Sequence, residues 1–171
     1  MGLFDFIKGK DGGEASERID YPVSLGAVSK GKFVPMDQIP DEVFSAGVLG
    51  SCCGIDPDEG KVYAPVSGKI SQLADTLHAV GIEAAGMELL IHVGVDTVEM
   101  NGEGFQPMVR EGQKVKKGEL LLTVDLEKIH GAGHPSTVIM AVTNSDDFSA
   151  VDSVAAGQVN VGDDVLRVSK A

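Results

Sequence analysis

Positive charge, cysteine and long hydrophobic runs are all scarce in this sequence, and each shortage argues against a class of protein. Fourteen Lys and Arg stand against 26 Asp and Glu, a net charge of −12 that argues against nucleic-acid binding as the main function. The two cysteines, Cys52 and Cys53, are adjacent, so we expect no structural disulfide and a cytoplasmic location. No apolar run approaches the roughly 20 residues of a membrane-spanning helix, so we do not expect an integral membrane protein.

Tryptophan is absent and glycine is abundant, a composition typical of short β-strands joined by tight turns. The 171 residues include 22 Gly and 7 Pro, and 43% of them are hydrophobic, enough for one compact domain with a core. We predict an all-β fold, an antiparallel β-sandwich or barrel of short strands with a few short helical turns. The clearest predicted features are strands at 87–95, 120–125, 137–142 and 165–168, a helical turn at 40–44 and a tight turn at 67–68 between two strands.

Residues 1–20 differ from the rest of the chain, and we predict a flexible tail there, followed by a single domain over residues 21–171. Four apolar side chains between Leu3 and Ile7 fall at helical spacing and are followed by lysines. They would suit a short amphipathic helix that lies on the inner face of a membrane. A helix this short is marginal in water, so a frayed tail is the alternative.

One predicted strand carries a histidine on the face opposite the core. With a period of two, the apolar positions that should face the core are Met87, Leu89, Ile91, Val93 and Val95. His92 then lies on the other face, beside Leu90 and Gly94. Most histidines in such positions are ordinary half-exposed residues, but the missing side chain of Gly94 leaves room for another molecule to approach this one.

A second histidine, His78, could lie next to the first. If residues 75–79 form the neighbouring strand, the Cβ atoms of His78 and His92 would face each other at about 5 Å. Two imidazoles at that distance suggest a shared metal or a shared phosphoryl group. Nothing nearby supplies the roughly four ligands of a zinc site, whereas phosphoryl transfer needs one neutral imidazole nitrogen and one donor to the phosphoryl oxygens. We therefore expect no metal and no cofactor.

Five segments together resemble a known protein family: residues 1–5, 64–68, 76–79, 86–98 and 101–105. Around His92 the sequence reads Leu-Leu-Ile-His-Val-Gly-Val-Asp-Thr-Val. In order and separation, these segments resemble the free-standing, glucose-class enzyme IIA of the bacterial phosphoenolpyruvate:sugar phosphotransferase system. The resemblance implies a phosphotransferase that accepts a phosphoryl group from phospho-HPr on Nε2 of His92. It would pass the group to a cysteine on the IIB domain of a membrane sugar permease.

The resemblance also implies a role for each residue around His92. His78 would hydrogen-bond the phosphoryl group and help it leave, with Thr76 orienting the His78 ring. The carbonyl of Gly94 would hold Nδ1 of His92 and leave Nε2 free to attack, which agrees with the chemistry of a neutral imidazole nucleophile. Asp96 would lie beside the site and position groups of the partner.

An apolar collar around the two histidines would dock every partner, and core packing is the alternative role for each of its members. By resemblance, the collar residues are Val43, Phe44, Val48, Leu49, Leu90 and Val98. Some members of the family also regulate other proteins when unphosphorylated. The sugar specificity would reside in the permease.

Two interpretations from other classes remain. A non-catalytic β-sandwich module would use the histidine face only for docking or regulation, and a zinc hydrolase would need further ligands. His130 and His134 have a metal-like i, i+4 spacing, but the glycines and proline around them predict a loop. Cys52 and Cys53 are predicted to be small buried residues.

Overall fold

The structure is a computed structural model that describes residues 19–170, so the predicted tail lies almost wholly outside the described residues. The strands are β1 Val23–Gly26, β2 Gly31–Val34, β3 Ser51–Pro57, β4 Lys61–Tyr63, β5 Gly68–Leu73, β6 Ala79–Ala84, β7 Met87–Val93, β8 Phe105–Pro107, β9 Lys114–Val115, β10 Leu120–Val124, β11 Val138–Val142, β12 Ala150–Ser153, β13 Gln158–Val159 and β14 Asp164–Ser169. The helices are α1 Glu42–Ser45 and α2 Leu126–Gly131, and short 3-10 turns cover Met36–Gln38, Thr97–Met100 and Ser145–Asp147.

The strands form one large and two small antiparallel sheets. The large sheet has the order β13-β2-β3-β11-β7-β6-β5-β9, and the small sheets have the orders β1-β14-β12 and β4-β10-β8. These sheets are open rather than closed into a barrel, which confirms the all-β sandwich class. The four strands predicted most clearly are confirmed within two residues at each end, and so is the helical turn, as α1.

The main core lies between the inner face of the large sheet and the small sheets. Ile82 and Ile91 of the large sheet, Leu25 and Leu166 of one small sheet and Leu122 of the other belong to a single buried cluster. Each such side chain contributes about 1.5–3 kcal/mol when it leaves water. The odd-numbered residues of β7 are buried as the period of two predicted. Strand β7 is therefore held firmly, with its even-numbered residues on the outer face.

A second, smaller apolar cluster covers part of the outer face of the large sheet. Its buried members are Val34, Ile39, Phe44, Cys52, Ile139 and Ala141. The cover is the segment 36–45, which ends in α1. That helix begins after Asp41, whose Oδ1 accepts hydrogen bonds from the backbone N–H groups of Val43 and Phe44 at 2.9 and 3.2 Å.

Two local predictions are wrong. Residues 67–68 do not form a tight turn between two paired strands, because β4 pairs with β10 whereas β5, which begins at Gly68, pairs with β6 and β9. His130 lies in α2 rather than in a loop. The carboxylate of Asp125 caps this helix, and Gly131 is its last residue, so the glycines end the helix instead of preventing it.

Cys52 and Cys53 are both free and buried. Within residues 19–170, no helix has the length and apolar character needed to cross a membrane.

Candidate active site

The site is built on β7, where two strands flank the histidine. His92 pairs with Ile139 of β11 on one side and with Ala79 of β6 on the other. As an even-numbered residue of β7 it lies on the outer face, and it is half-buried. A residue in the interior of a large sheet has little backbone freedom, so the backbone that carries the His92 side chain is held in place.

The Nδ1 atom of His92 lies 2.8 Å from the carbonyl oxygen of Gly94. A carbonyl can only accept a hydrogen bond, so Nδ1 carries the proton and Nε2 of the neutral ring is left with its lone pair. Gly94 has a φ of +80°, in the left-handed region that favours glycine. Its own N–H donates to the carbonyl of Thr137 at 2.8 Å, which fixes the turn after β7.

His78 lies beside His92, although the predicted strand at 75–79 is wrong. The segment is a turn in which Leu77 has a φ of +61°, and β6 begins only at Ala79. The carbonyl of His78 accepts a hydrogen bond from the N–H of Val93 at 2.7 Å, which continues the pairing of β6 and β7 by one residue. The two imidazole rings consequently meet edge to face, with centroids 5.0 Å apart and planes at 79°.

The position of the His78 ring is set by Thr76 in the same turn. Thr76 Oγ1 lies 2.6 Å from Nδ1 of His78. When the hydroxyl donates this hydrogen bond, the proton of the neutral imidazole resides on Nε2. The site then offers two different nitrogens, an unprotonated one on His92 and an N–H on His78.

Both histidines have pKa values below the ordinary value of 6.5. Burial lowers the pKa of His78, and burial followed by the neighbouring His78 lowers the pKa of His92. The hydrogen bond to Gly94 and the charges of Asp41 and Asp96 raise the pKa of His92, but they do not outweigh the two lowering effects. Both rings are therefore neutral near pH 7, as a nucleophile requires.

The six predicted collar residues occupy two kinds of position. Val43, Val48 and Val98 are 46%, 69% and 49% exposed, and Leu49 is also exposed. Phe44 is buried and packs against His92, with ring centroids 5.1 Å apart, and Leu90 is half-buried against the second cluster. Four of the six residues are thus accessible to a partner, whereas Phe44 is buried and packs against the His92 ring.

Two acidic residues lie close enough to His92 to affect its pKa. Asp96, which was predicted, has a φ of +62° and is exposed. Asp41 was not predicted as a site residue. It lies 51 residues before His92 in the chain and caps α1. The only local signal for Asp41 is a capping pattern ahead of Glu42, and that pattern predicts a helix start rather than a charge near a histidine.

The donor set gives little support to a metal centre. Among residues 19–170, no group of three or more His, Cys, Asp or Glu side chains is arranged to hold a metal ion. The 3.9 Å approach of His134 Nε2 to Glu99 Oε1 and the 2.9 Å approach of His130 Nε2 to Ser136 Oγ are separate pairs.

Comparison with known proteins gives matches over most of the chain. A family model described as phosphoenolpyruvate-dependent sugar phosphotransferase system, EIIA 1, matches residues 23–148. The glucose-specific EIIA component of Staphylococcus epidermidis is 37% identical over 88% of this chain and 94% of its own length. The glucose permease IIA of Mycoplasma capricolum superposes with a TM-score of 0.78 and 32% identity, covering 86% of this chain and 96% of that one.

Other relatives are much longer than this chain. The beta-glucoside-specific EIIBCA component of Dickeya chrysanthemi is 42% identical over 76% of this chain, and the glucosamine-specific EIICBA component of Bacillus subtilis is 44% identical over 81% of it. The chain spans only 21% of the length of each of these two proteins. This chain therefore corresponds to only one part of each of these two longer proteins.

Proposed function

The chain belongs to the EIIA family of the phosphoenolpyruvate-dependent sugar phosphotransferase system, and on that basis we propose that it relays phosphoryl groups during sugar uptake. It accepts the group from phospho-HPr on Nε2 of His92 and passes it to a cysteine on the IIB domain of a sugar permease. The observation that carries this proposal is the 2.8 Å contact between Nδ1 of His92 and the Gly94 carbonyl, with the His78 ring beside it. That contact leaves Nε2 unprotonated and able to act as the nucleophile.

The transfer to His92 is a displacement at phosphorus. The lone pair of Nε2 forms the new nitrogen–phosphorus bond while the bond from phosphorus to the donor breaks, and the electron pair of that bond leaves with the donor. The proton on Nδ1 stays in place, because it is hydrogen-bonded to Gly94. In the second transfer the sulfur of the acceptor attacks phosphorus, and the electron pair of the broken bond returns to Nε2.

His78 and Thr76 stabilise the charge on the transferred group. With Thr76 bonded to Nδ1 of His78, the Nε2–H of that ring is free to donate to a phosphoryl oxygen on His92. The ring centroids are 5.0 Å apart, so the His78 ring lies next to the group that His92 would carry. His78 thereby acts on the phosphoryl group once it is present, and its contribution is largest when the group leaves.

Donor and acceptor would dock on the same exposed apolar surface, formed by Val43, Val48, Leu49 and Val98. Asp96 lies at this surface and would position groups of the partner. The relatives named EIIBCA and EIICBA carry A, B and C components in one chain, which supports a IIB domain as a partner. We place the relay in residues 21–171 as one domain of a cytoplasmic protein, and contacts of the first 20 residues with the membrane remain a prediction.

Phosphoryl labelling tests this function directly. The protein is incubated with enzyme I, HPr and radiolabelled phosphoenolpyruvate, and we expect an acid-labile, base-stable label on one histidine. His92→Gln abolishes the label, whereas His130→Gln, at a histidine of α2 whose ring contacts Ser136, retains it. Absence of label on the wild-type protein would remove the relay and favour a docking or regulatory module. Stoichiometric zinc in the purified protein would favour the hydrolase instead.

A further inference from the structure

Thr97 is a fully buried polar residue immediately beyond the site. It begins the 3-10 turn Thr97–Met100 that follows β7, and its exposed fraction is 0%. A buried hydroxyl needs a hydrogen-bond partner, and this one donates to the carbonyl of Val93, the residue after His92, at 2.5 Å. The bond closes a turn around Gly94.

The methyl group of Thr97 restrains the same turn from a second direction. A Cβ built on Gly94 would lie 2.4 Å from Cγ2 of Thr97 and 3.0 Å from the carbonyl oxygen of Pro135. Thr97 and the backbone of residue 135 therefore both pack closely against the side of Gly94 on which another residue would carry its Cβ. The hydroxyl fixes the peptide before Gly94 while the methyl group limits where the Gly94 backbone can move.

We propose that Thr97 is a positioning residue for the nucleophile, acting through the Gly94 carbonyl. The inference rests on the proposed relay at His92. The direction of the Gly94 carbonyl depends on the conformation of the 93–97 turn, which the Thr97 hydroxyl holds through its hydrogen bond to the Val93 carbonyl. That carbonyl keeps the proton on Nδ1 of His92. Loss of the Thr97 hydroxyl should therefore change which nitrogen of the His92 ring is protonated. Thr97 would exert this effect indirectly, because its hydroxyl bonds Val93 rather than His92.

Another buried hydroxyl provides a matched control. Ser29 is also 0% exposed, and its Oγ donates to the carbonyl of Lys61 at 2.8 Å. It lies between β1 and β2 and links them to a strand of a small sheet, with no bond to the β7 turn. Ser29→Ala removes a comparable buried hydrogen bond, so it reports the general cost of such a loss.

The experiment measures the His92 tautomer by 15N NMR of the ring nitrogens in the unphosphorylated protein at a pH of about 7.5, which is roughly one unit above the ordinary histidine pKa. Thr97→Val keeps the shape and removes the donor, Thr97→Ser keeps the donor and removes the methyl group, and Thr97→Ala removes both. We expect the wild-type protein, Thr97→Ser and Ser29→Ala to hold the proton on Nδ1. In Thr97→Val and Thr97→Ala the Nε2-protonated form should become populated, and phosphorylation by phospho-HPr should slow by about tenfold.

The outcomes separate this inference from the proposed function. An unchanged tautomer in both donor-less variants would overturn the positioning role even if His92 is phosphorylated normally. A tautomer shift in Ser29→Ala of the same size would also overturn it, because the effect would then be a general loss of stability. If neither donor-less variant folds, the hydroxyl serves the fold and the positioning role is rejected. A shifted tautomer in a protein that HPr never labels would support the role of Thr97 while rejecting the relay.

Discussion

Thr76 and His78 form a side-chain pair within one turn, with Thr76 Oγ1 2.6 Å from Nδ1 of the imidazole. The pair is close in sequence, so under the proposed relay a single turn would carry both the hydrogen-bond donor to the phosphoryl group and the residue that orients this donor. Thr76→Val removes the hydroxyl and frees the His78 ring to adopt the other tautomer. We expect transfer from phospho-His92 to the acceptor to slow by about tenfold, measured by rapid quench. Thr76→Ser should restore the rate, and an unaltered rate in Thr76→Val would contradict the orienting role.

His78→Gln separates the two half-reactions. The variant keeps His92 and its bond to Gly94, so we expect phospho-HPr still to label it. The variant lacks the imidazole N–H that would stabilise the departing phosphoryl group. The rate of transfer from His92 to the acceptor should therefore fall by roughly 100-fold, a typical size for the loss of one donor to a developing charge. The measurement compares the rate of labelling with the rate of discharge to a IIB domain. Equal losses in both steps would show that His78 does not act chiefly on the departing group.

The lowered pKa values of the histidines predict a pH dependence of stability. Both histidines resist protonation in the folded protein, whereas in the unfolded chain their pKa values return to about 6.5. As the pH falls below this value, the unfolded chain binds protons that the folded protein does not, so the free energy of unfolding decreases until the pH passes the lowered pKa values of the folded state. Urea unfolding from about pH 7.5 to 5.5 should show a smaller decrease in His92→Gln than in the wild-type protein. An equal decrease in the two proteins would contradict the lowered pKa of His92.

A charge on the exposed apolar surface should affect docking and leave the fold intact. Val48 is 69% exposed, so Val48→Asp should change the free energy of unfolding by less than about 0.5 kcal/mol. The rate of phosphorylation by HPr at low HPr concentration should fall by about tenfold, because a desolvated carboxylate would face the partner. Val154→Asp, at an exposed position after β12 in a small sheet, is the control. If Val48→Asp and Val154→Asp are phosphorylated at similar rates, HPr does not dock on the surface that contains Val48.

The turn after β7 should tolerate no side chain at Gly94. In Gly94→Ala the positive φ and the 2.4 Å approach to Thr97 Cγ2 act together, and we expect a loss of about 3 kcal/mol in the free energy of unfolding. Gly118 has a φ of +88° and open space around its Cβ position, so Gly118→Ala should lose only about 1 kcal/mol. Denaturant titration of both variants separates backbone strain from crowding. Equal losses would mean that the contact with Thr97 is relieved without cost.

The sequence predicted those parts of the fold and site that depend on short-range patterns. The alternation along β7 identifies its core-facing residues and therefore the face of His92, because the period of a strand is fixed by backbone geometry. The turn that holds His78 was mistaken for a strand, since the positive φ of Leu77 has no signature in a leucine. The two rings nevertheless meet, because the pairing of Ala79 with His92 decides their separation.

Features that depend on distant parts of the chain could not be predicted in the same way. Asp41 affects His92 only because α1 folds over the outer face of the large sheet, a consequence of the second cluster. Phe44 was grouped with the exposed collar, yet its burial depends on contacts with β3 and β11. Thr97 is recognisable in the sequence only as a polar residue just after His92, and its burial depends on packing that the sequence does not show.

The cover over the outer face has a consequence for how the protein can respond to its partners. Segment 36–45 is anchored by the few buried residues of the second cluster, whereas β7 is anchored by the main core and by two neighbouring strands. Regions with few buried contacts open at lower free energy than the core does. The protein thus combines a contact surface that can deform at low cost with a rigidly held imidazole. Under the proposed relay, Val43 and its neighbours could adjust to two partners of different shape while His92 keeps its position.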